Sequence, residues 1–224
     1  MDGGAYKILR EIVIGLPVLL FSISFHEAAH GLVAWKLGDD TARRMGRVSL
    51  DPFRHLDLFG SVLLPLLMLF SGFGVVFGYA KPTPVNVNRL RRPKRDFSLV
   101  AAAGPLSNLL LALAFTALAW LFAGVLQLSS AGLDLILAEA IFLNLLLALF
   151  NLMPLPTLDG LKALYAFLPD SWCWRLNRLE VWGLAVVVAA LFLGVFNLLD
   201  LPLGVATSWL FRLGHLNMGV LANL

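Results

Sequence analysis

The chain has 224 residues, 59% of them hydrophobic and 14% charged, with a formal net charge of +3 and a mean hydropathy of +0.84. Soluble domains are nearer half apolar and a quarter charged, so this composition excludes a large soluble domain and points to an integral membrane protein. The apolar stretches lack the alternation that a membrane β-barrel needs, and the one cysteine, Cys173, excludes both an intrachain disulfide and a cysteine-based metal site.

Lys7 and Arg10 precede the first apolar run as in a signal peptide, but no small-residue cleavage site follows. An uncleaved first span over 8–36 is expected. Its second half carries His26-Glu27-Ala-Ala-His30. A polar loop, Leu37 to Asp57, contains Arg43, Arg44, Arg47 and Arg54. A second apolar run over 58–79 is interrupted by Gly60, Pro65, Gly72, Gly74 and Gly78, and fits either a spanning helix or a re-entrant segment.

Residues 80–88 read Ala-Lys-Pro-Thr-Pro-Val-Asn-Val-Asn. The residue before a proline favours extended geometry, so Lys81 and Thr83 predict a strand-like path, and prolines confine such a strand to an edge. With the basic run Arg89 to Arg95, this forms an extended basic insertion over 80–95, expected at the lipid–water boundary. Lysines and arginines cluster in loops, which points to membrane lipid as a partner and not to nucleic acid.

A third span over 97–126 holds Gly104-Pro-Leu-Ser-Asn108 near its start. Small residues there allow close helix approach. The segment 133–168 begins as a fourth span with Asp134, Glu139 and Asn144, and passes into Asn151-Leu-Met-Pro-Leu-Pro-Thr-Leu-Asp159-Gly160, where two prolines break the helix. Trp172 and Trp174 suit an interfacial belt. A last long span is expected over 181–199, followed after Pro202 by a weak, surface-lying helix.

The expected fold class is all-α polytopic, with about five transmembrane helices and a small extended, β-like membrane-associated insertion, in one domain over 1–224. If the second run crosses the bilayer, the basic loops on either side of it nearly cancel as an orientation signal.

Positions four apart share a helix face, so the imidazoles of His26 and His30 can grip one metal ion. Glu27 is adjacent and placed for acid/base work on water. Three ionisable groups on one turn in lipid are costly without a metal, which disfavours a purely packing role. Catalytic zinc generally has three protein ligands, so a third must come from His55, His215 or a carboxylate of the membrane region. Asp159 is the best placed: it follows the doubly broken helix, and Gly160 permits a tight turn. Irregular backbone at membrane depth must be buried in protein or face water, as a metal pocket would provide. His55 is otherwise read as a loop histidine at the lipid boundary and His215 as a surface residue. Glu139 is read as facing solvent or a partner, and Asn144 as helix–helix glue.

These three motifs, with Gly78-Tyr-Ala-Lys-Pro-Thr-Pro-Val85, resemble the site-2 protease family of intramembrane zinc metalloproteases, in particular its short members without PDZ or CBS domains. The resemblance implies that His26, His30 and Asp159 bind one catalytic Zn2+ and that Glu27 is the catalytic acid/base. It also implies that Asn108 and Asn151 handle a transmembrane protein substrate. The expected activity is endopeptidase cleavage within or next to transmembrane segments, in a multi-pass protein of a prokaryotic inner membrane. The same fold could serve as a divalent-metal transporter or an inactive membrane chaperone. A transporter would need ligands strung along a path, where the sequence shows one compact cluster, and an intact Glu27 argues against loss of activity.

Overall fold

The structure is a computed structural model that describes residues 9–57, 60, 63, 80–217 and 219. Among the described residues, eight α-helices follow in chain order: α1 Leu16–Lys36, α2 Thr41–Arg44, α3 Pro93–Ala119, α4 Ala131–Asn151, α5 Asp159–Ala163, α6 Asp170–Leu179, α7 Gly183–Phe192 and α8 Asp200–Leu213. A π-helical turn, Glu11–Gly15, leads into α1, and another, Trp120–Val125, ends α3.

Among the described residues, three helical stretches are long and apolar enough to cross a bilayer: Ile12–Lys36, Pro93–Val125 and Ala131–Asn151. The shortest has 21 residues, about the 20 needed to span a hydrocarbon core of roughly 30 Å. Asp170–Phe192 and Val195–Leu213 pass the same test only together and meet at 75°, so the count reaches four if that bent pair is one span. The fold is all-α and polytopic, with three to four spans shown where five were expected; the 58–79 run lies outside the described residues apart from Gly60 and Leu63.

The expected single span over 181–199 is broken. Its helix stops at Phe192, and Gly194 takes φ 70°, a left-handed conformation that suits glycine at a helix end. The tail also differs from expectation. Instead of lying on a surface, α8 sends Leu210 and Phe211 into a core with Ala112 and Ala119 of α3 and Leu137, Ala138, Ile141 and Leu145 of α4. Phe211 is fully buried.

The centre of the bundle is α3, packed between α1 and α4. Much of its buried surface is small or short, including Ala101, Ala103, Gly104, Ser107, Asn108 and Ala112, beside the larger Val100 and Leu111. In lipid, helices gain nothing from hiding apolar surface, so close backbone approach and buried polar contacts hold them together. Pro105 sits inside α3 without ending it. On α1 the buried positions Ser22, His26, His30 and Ala34 recur every four residues and form one stripe toward the bundle interior. Ser22 Oγ accepts from Asn144 Nδ2 at 2.9 Å, while the Asn144 amide also donates to Ala140 O, so the expected helix–helix role of Asn144 holds.

Residues 80–92 run as an irregular strap across the end of α1, and no strand forms among the described residues. Its donors go to other parts of the fold: Lys81 N–H to His55 O (2.8 Å), Thr83 N–H to Glu27 Oε2 (2.8 Å), Asn86 N–H to Asp39 Oδ2 (2.6 Å) and Arg91 N–H to Leu37 O (3.2 Å). Pro82 and Pro84 have no N–H. The donors at 81 and 83 therefore all turn toward the body, and no ladder can form through the prolines.

The hydrogen bond from Lys81 to His55 brings together residues on either side of the 58–79 run. The basic loop 37–57 and the basic strap therefore lie at the same end, and Arg89 pairs with Asp40 at 2.7 Å across them. Their charges lie together, unlike the arrangement expected if the 58–79 run crosses the bilayer.

Asp39 is fully buried and accepts three bonds, from Thr41 N–H, the Thr41 hydroxyl and Asn86 N–H. Asp39→Ala leaves these donors buried and unmatched, and is expected to cost about 3 kcal/mol. Thermal unfolding in detergent reads that loss, and limited proteolysis should find new cleavage in the strap.

Candidate metal centre

His26 and His30 stand one turn apart on α1, with ring centroids 4.7 Å apart and planes near perpendicular. Opposite them is Gly104 of α3. Asp159 is the first residue of α5, set in place by the turn after α4. That turn is tight: a Cβ on Gly160 would lie 2.2 Å from Leu152 O and 2.6 Å from Met153 O, so only glycine lets the chain fold back here. The twin prolines end α4 and the glycine returns the chain, as their sequence suggested.

Asp159 Oδ2 lies 3.0 Å from His26 Nε2 and 3.3 Å from His30 Nε2. Two ligands about 2.05 Å from a tetrahedral ion are separated by about 3.3 Å, so these spacings, which also suit hydrogen-bonded ion pairs, fit one shared ion. All three ligand atoms lie within 4.8 Å of one another. Burial alone would push the Asp159 carboxyl up; the two imidazoles outweigh it and hold the group below the usual carboxylate range.

The neighbours of the histidines support the same reading. His30 Nδ1 lies 2.7 Å from Val100 O. A carbonyl only accepts, so Nδ1 carries the proton and Nε2 turns its lone pair toward Asp159 and Gly104. A Cβ on Gly104 would lie 2.3 Å from His30 Nε2 and 2.4 Å from His26 Nε2, occupying the space that an ion bound to both would take. Two imidazoles and a carboxylate around a space kept clear by glycine suit Zn2+.

Glu27, on the neighbouring face of α1, is partly buried. Its Oε2 accepts from Thr83 N–H at 2.8 Å, and its backbone oxygen accepts from the Thr83 hydroxyl at 3.0 Å. The strap thus fixes the carboxylate beside the histidines.

A cavity of about 1170 Å³ takes in His26, Glu27, His30, Asp159, Asn108 and Asn151. All six residues singled out from the sequence reach one space. Asn108 is fully buried, and neither end of its amide has a hydrogen-bond partner among the described residues. Asn151 instead donates to Leu147 O at 2.9 Å.

His55 is not among the converging groups. It is buried in the loop, where its Nε2 lies 2.8 Å from Ser49 O and its own carbonyl receives Lys81, so it anchors the strap. His215 is exposed, as expected. Glu139 is buried in α4, contrary to the outward-facing expectation, and lies outside the cavity lining. The sequence reading missed the roles of Gly104 and Thr83. Gly104 is one turn before Asn108, which marks the same face; Thr83 is the one backbone donor between two prolines.

No family model matches the chain, and no solved structure matches it. It is 39% identical over 213 residues to "Putative zinc metalloprotease YwhC" of Bacillus subtilis, covering 93% of this chain and 90% of that protein. "Putative zinc metalloprotease Rip2" of Mycolicibacterium smegmatis is 30% identical over 182 residues, 80% of this chain and 66% of the relative. A Mycobacterium tuberculosis protein of the same name is 35% identical over 147 residues, 65% of this chain and 53% of its own length.

Gly104→Ala places a methyl between the two Nε2 atoms. Zinc content after dialysis, measured by atomic emission, is expected to fall from one ion per chain to a small fraction, with helical circular dichroism unchanged.

Proposed function

The chain belongs to the site-2 protease family of zinc metalloproteases, and on that premise we propose that it is a zinc-dependent endopeptidase that hydrolyses peptide bonds within or next to transmembrane segments of membrane proteins. The observation that carries this reading is the meeting of His26, His30 and Asp159 with Glu27 in one cavity of an apolar helical bundle. In the reading, His26, His30 and Asp159 hold one Zn2+. A bound zinc ion supplies Lewis acidity, which makes water nucleophilic near neutral pH and polarises the scissile carbonyl.

The protein's own groups do the rest. Glu27 accepts a proton from the attacking water as its oxygen bonds to the carbonyl carbon. The carboxyl then returns that proton to the amide nitrogen as the C–N bond breaks, leaving a carboxyl and an amine. The Thr83 N–H holds one carboxylate oxygen of Glu27, which leaves the other for this transfer. The Asn108 amide, buried in the cavity wall, offers a donor to the carbonyl oxygen as it gains charge, or to a substrate backbone group. Asn151 lines the same wall and guides the chain past it.

A transmembrane helix hides its carbonyls in its own hydrogen bonds, so the scissile stretch must unwind before it can be attacked. The strap beside Glu27 is fixed and irregular, and its prolines leave carbonyls at 82 and 84 unmatched by N–H groups of their own. An unwound substrate can pair its amides there.

Orientation follows from charge. Arg43, Arg44, Arg47, Arg54, Arg89, Arg91, Arg92, Lys94 and Arg95 lie at the end where the strap crosses α1. The positive-inside rule turns that end toward the cytosol of a prokaryotic inner membrane, where the same side chains meet anionic lipid. A metal-transit function would need further ligand groups along a path; among the described residues one such group comes together.

Wild type and Glu27→Gln should both retain zinc, with cleavage of a helical membrane peptide slowed about 10²- to 10⁴-fold in the variant. Full cleavage by Glu27→Gln, or zinc flux into liposomes, would overturn the assignment. Replacing residues 82–85 with Gly/Ser should retain zinc and slow cleavage of a membrane substrate. Unchanged cleavage would remove the strap from the mechanism.

A further inference from the structure

Asp159 is carried by a segment that is held on one side by α3 and on the other by the arm formed by α6 and α7. Two residues before Asp159, Thr157 has φ 76°. A β-branched residue adopts this left-handed conformation only when its surroundings enforce it. Thr157 is exposed overall, and the contact on its inner side is with α7. A Cβ on Gly183 would lie 1.9 Å from Thr157 Cγ2 and 2.9 Å from Thr157 Cβ, so the Thr157 side chain fills the place a side chain at 183 would need.

Other ties join the arm to the same segment. Lys162 pairs with Glu180 at 2.5 Å, and the Tyr165 hydroxyl donates to Asn177 Oδ1 at 2.9 Å. Lys94 of α3 pairs with Asp170 at 2.7 Å. Lys162 lies three residues after Asp159, and Glu180 three before Gly183, so packing contact and ion pair flank the carboxylate. No residue of α6 is buried; these contacts, with the buried face of α7, are what seat the arm.

We propose that Gly183 is a positioning residue for the metal centre: its bare Cα lets Thr157 seat against α7, so docking of the α6–α7 arm and placement of the Asp159 carboxylate form one equilibrium. The inference rests on the reading of His26, His30 and Asp159 as zinc ligands. Linkage makes the coupling reciprocal. A metal that needs Asp159 favours the seated arm, and whatever lifts the arm weakens the metal.

Cys173 reports on the arm. It is the one cysteine of the chain, it sits partly buried on α6, and it lines the same cavity. The test uses the full chain in detergent micelles. Zinc affinity is measured by competition with a chromogenic chelator for wild type, Gly183→Ala and the double variant Thr157→Gly/Gly183→Ala. Maleimide labelling of Cys173 is timed with and without zinc, with His26→Ala as the control for direct binding of zinc to the thiol.

Gly183→Ala should weaken zinc binding about 10- to 100-fold, the range seen when groups that orient metal ligands are altered. The double variant should recover to within a few-fold, because the clashing side chain is gone and glycine adopts φ 76° freely. Zinc should slow Cys173 labelling several-fold in wild type and leave it unchanged in His26→Ala. Wild-type affinity in Gly183→Ala, absence of rescue in the double variant, or zinc-insensitive labelling of a wild type that binds zinc would each overturn the proposal. If Gly183→Ala does not fold, the wild-type labelling comparison decides. A wild type that binds no zinc would instead overturn the metal reading beneath it.

Discussion

One carboxylate oxygen of Asp159 lies between two imidazole nitrogens, 3.0 Å from His26 and 3.3 Å from His30, in a bundle whose outer surface is built for lipid. Ionisable groups buried in an apolar bundle are costly unless they meet partners. The fold meets that requirement through geometry. α1 turns both histidines to one face, and α3 opposes them with glycine. The break after α4 then returns a carboxylate that is remote in sequence. Remove any one of these and the others become buried polar groups without a purpose. Small residues along α3 serve both needs at once: they bring the helices close, and at Gly104 they leave room at the centre.

The proposed function adds a second constraint: a carboxylate that serves as acid/base must be held without being consumed in a structural bond. Glu27 solves this with one oxygen. Its Oε2 is engaged by a backbone N–H of the strap, and a main-chain donor cannot rotate away as a side chain can. The strap is in turn fixed at 81, 86 and 91 by His55, Asp39 and Leu37. Buried Asp39 and the loop histidine His55 are thus part of how Glu27 is aimed, although neither reaches the cavity.

Much of this was legible in the sequence, and for a physical reason. His26, Glu27 and His30 are three residues of one helix, and helical periodicity converts the four-residue spacing of the histidines directly into a shared face. Apolar length gave the spans around 12–36, 93–125 and 131–151 within a few residues. Pro154, Pro156 and Gly160 marked the return of the chain because backbone rules act locally. What stayed hidden depends on contacts between distant segments. Nothing local in Asp200–Leu213 says that Phe211 is buried, since its partners come from α3 and α4. The tie between Lys81 and His55, which brings the basic loops together, joins residues on either side of the 58–79 run. Thr83 was expected on a strand-like path; no strand forms there among the described residues, and its N–H meets a carboxylate in place of a neighbouring strand.

The same distinction separates the two halves of the site. The histidines stand on a long helix buried against α3, and their positions are set by a packed interface. Asp159 stands on a five-residue helix after an irregular turn, with a left-handed threonine two positions away. A short element of that kind does not hold a side chain by itself; it takes its position from what packs on it. On one side that is α3, where Ser98 Oγ meets both Lys162 O and Ala166 N–H. On the other it is the arm, through Gly183, Glu180 and Asn177. In the proposed zinc site, Asp159 is therefore the adjustable member. On the proposed reading, with two ligands on a rigid helix and one on a supported turn, the response to surrounding structure is concentrated in the carboxylate, whose support also forms a wall of the cavity.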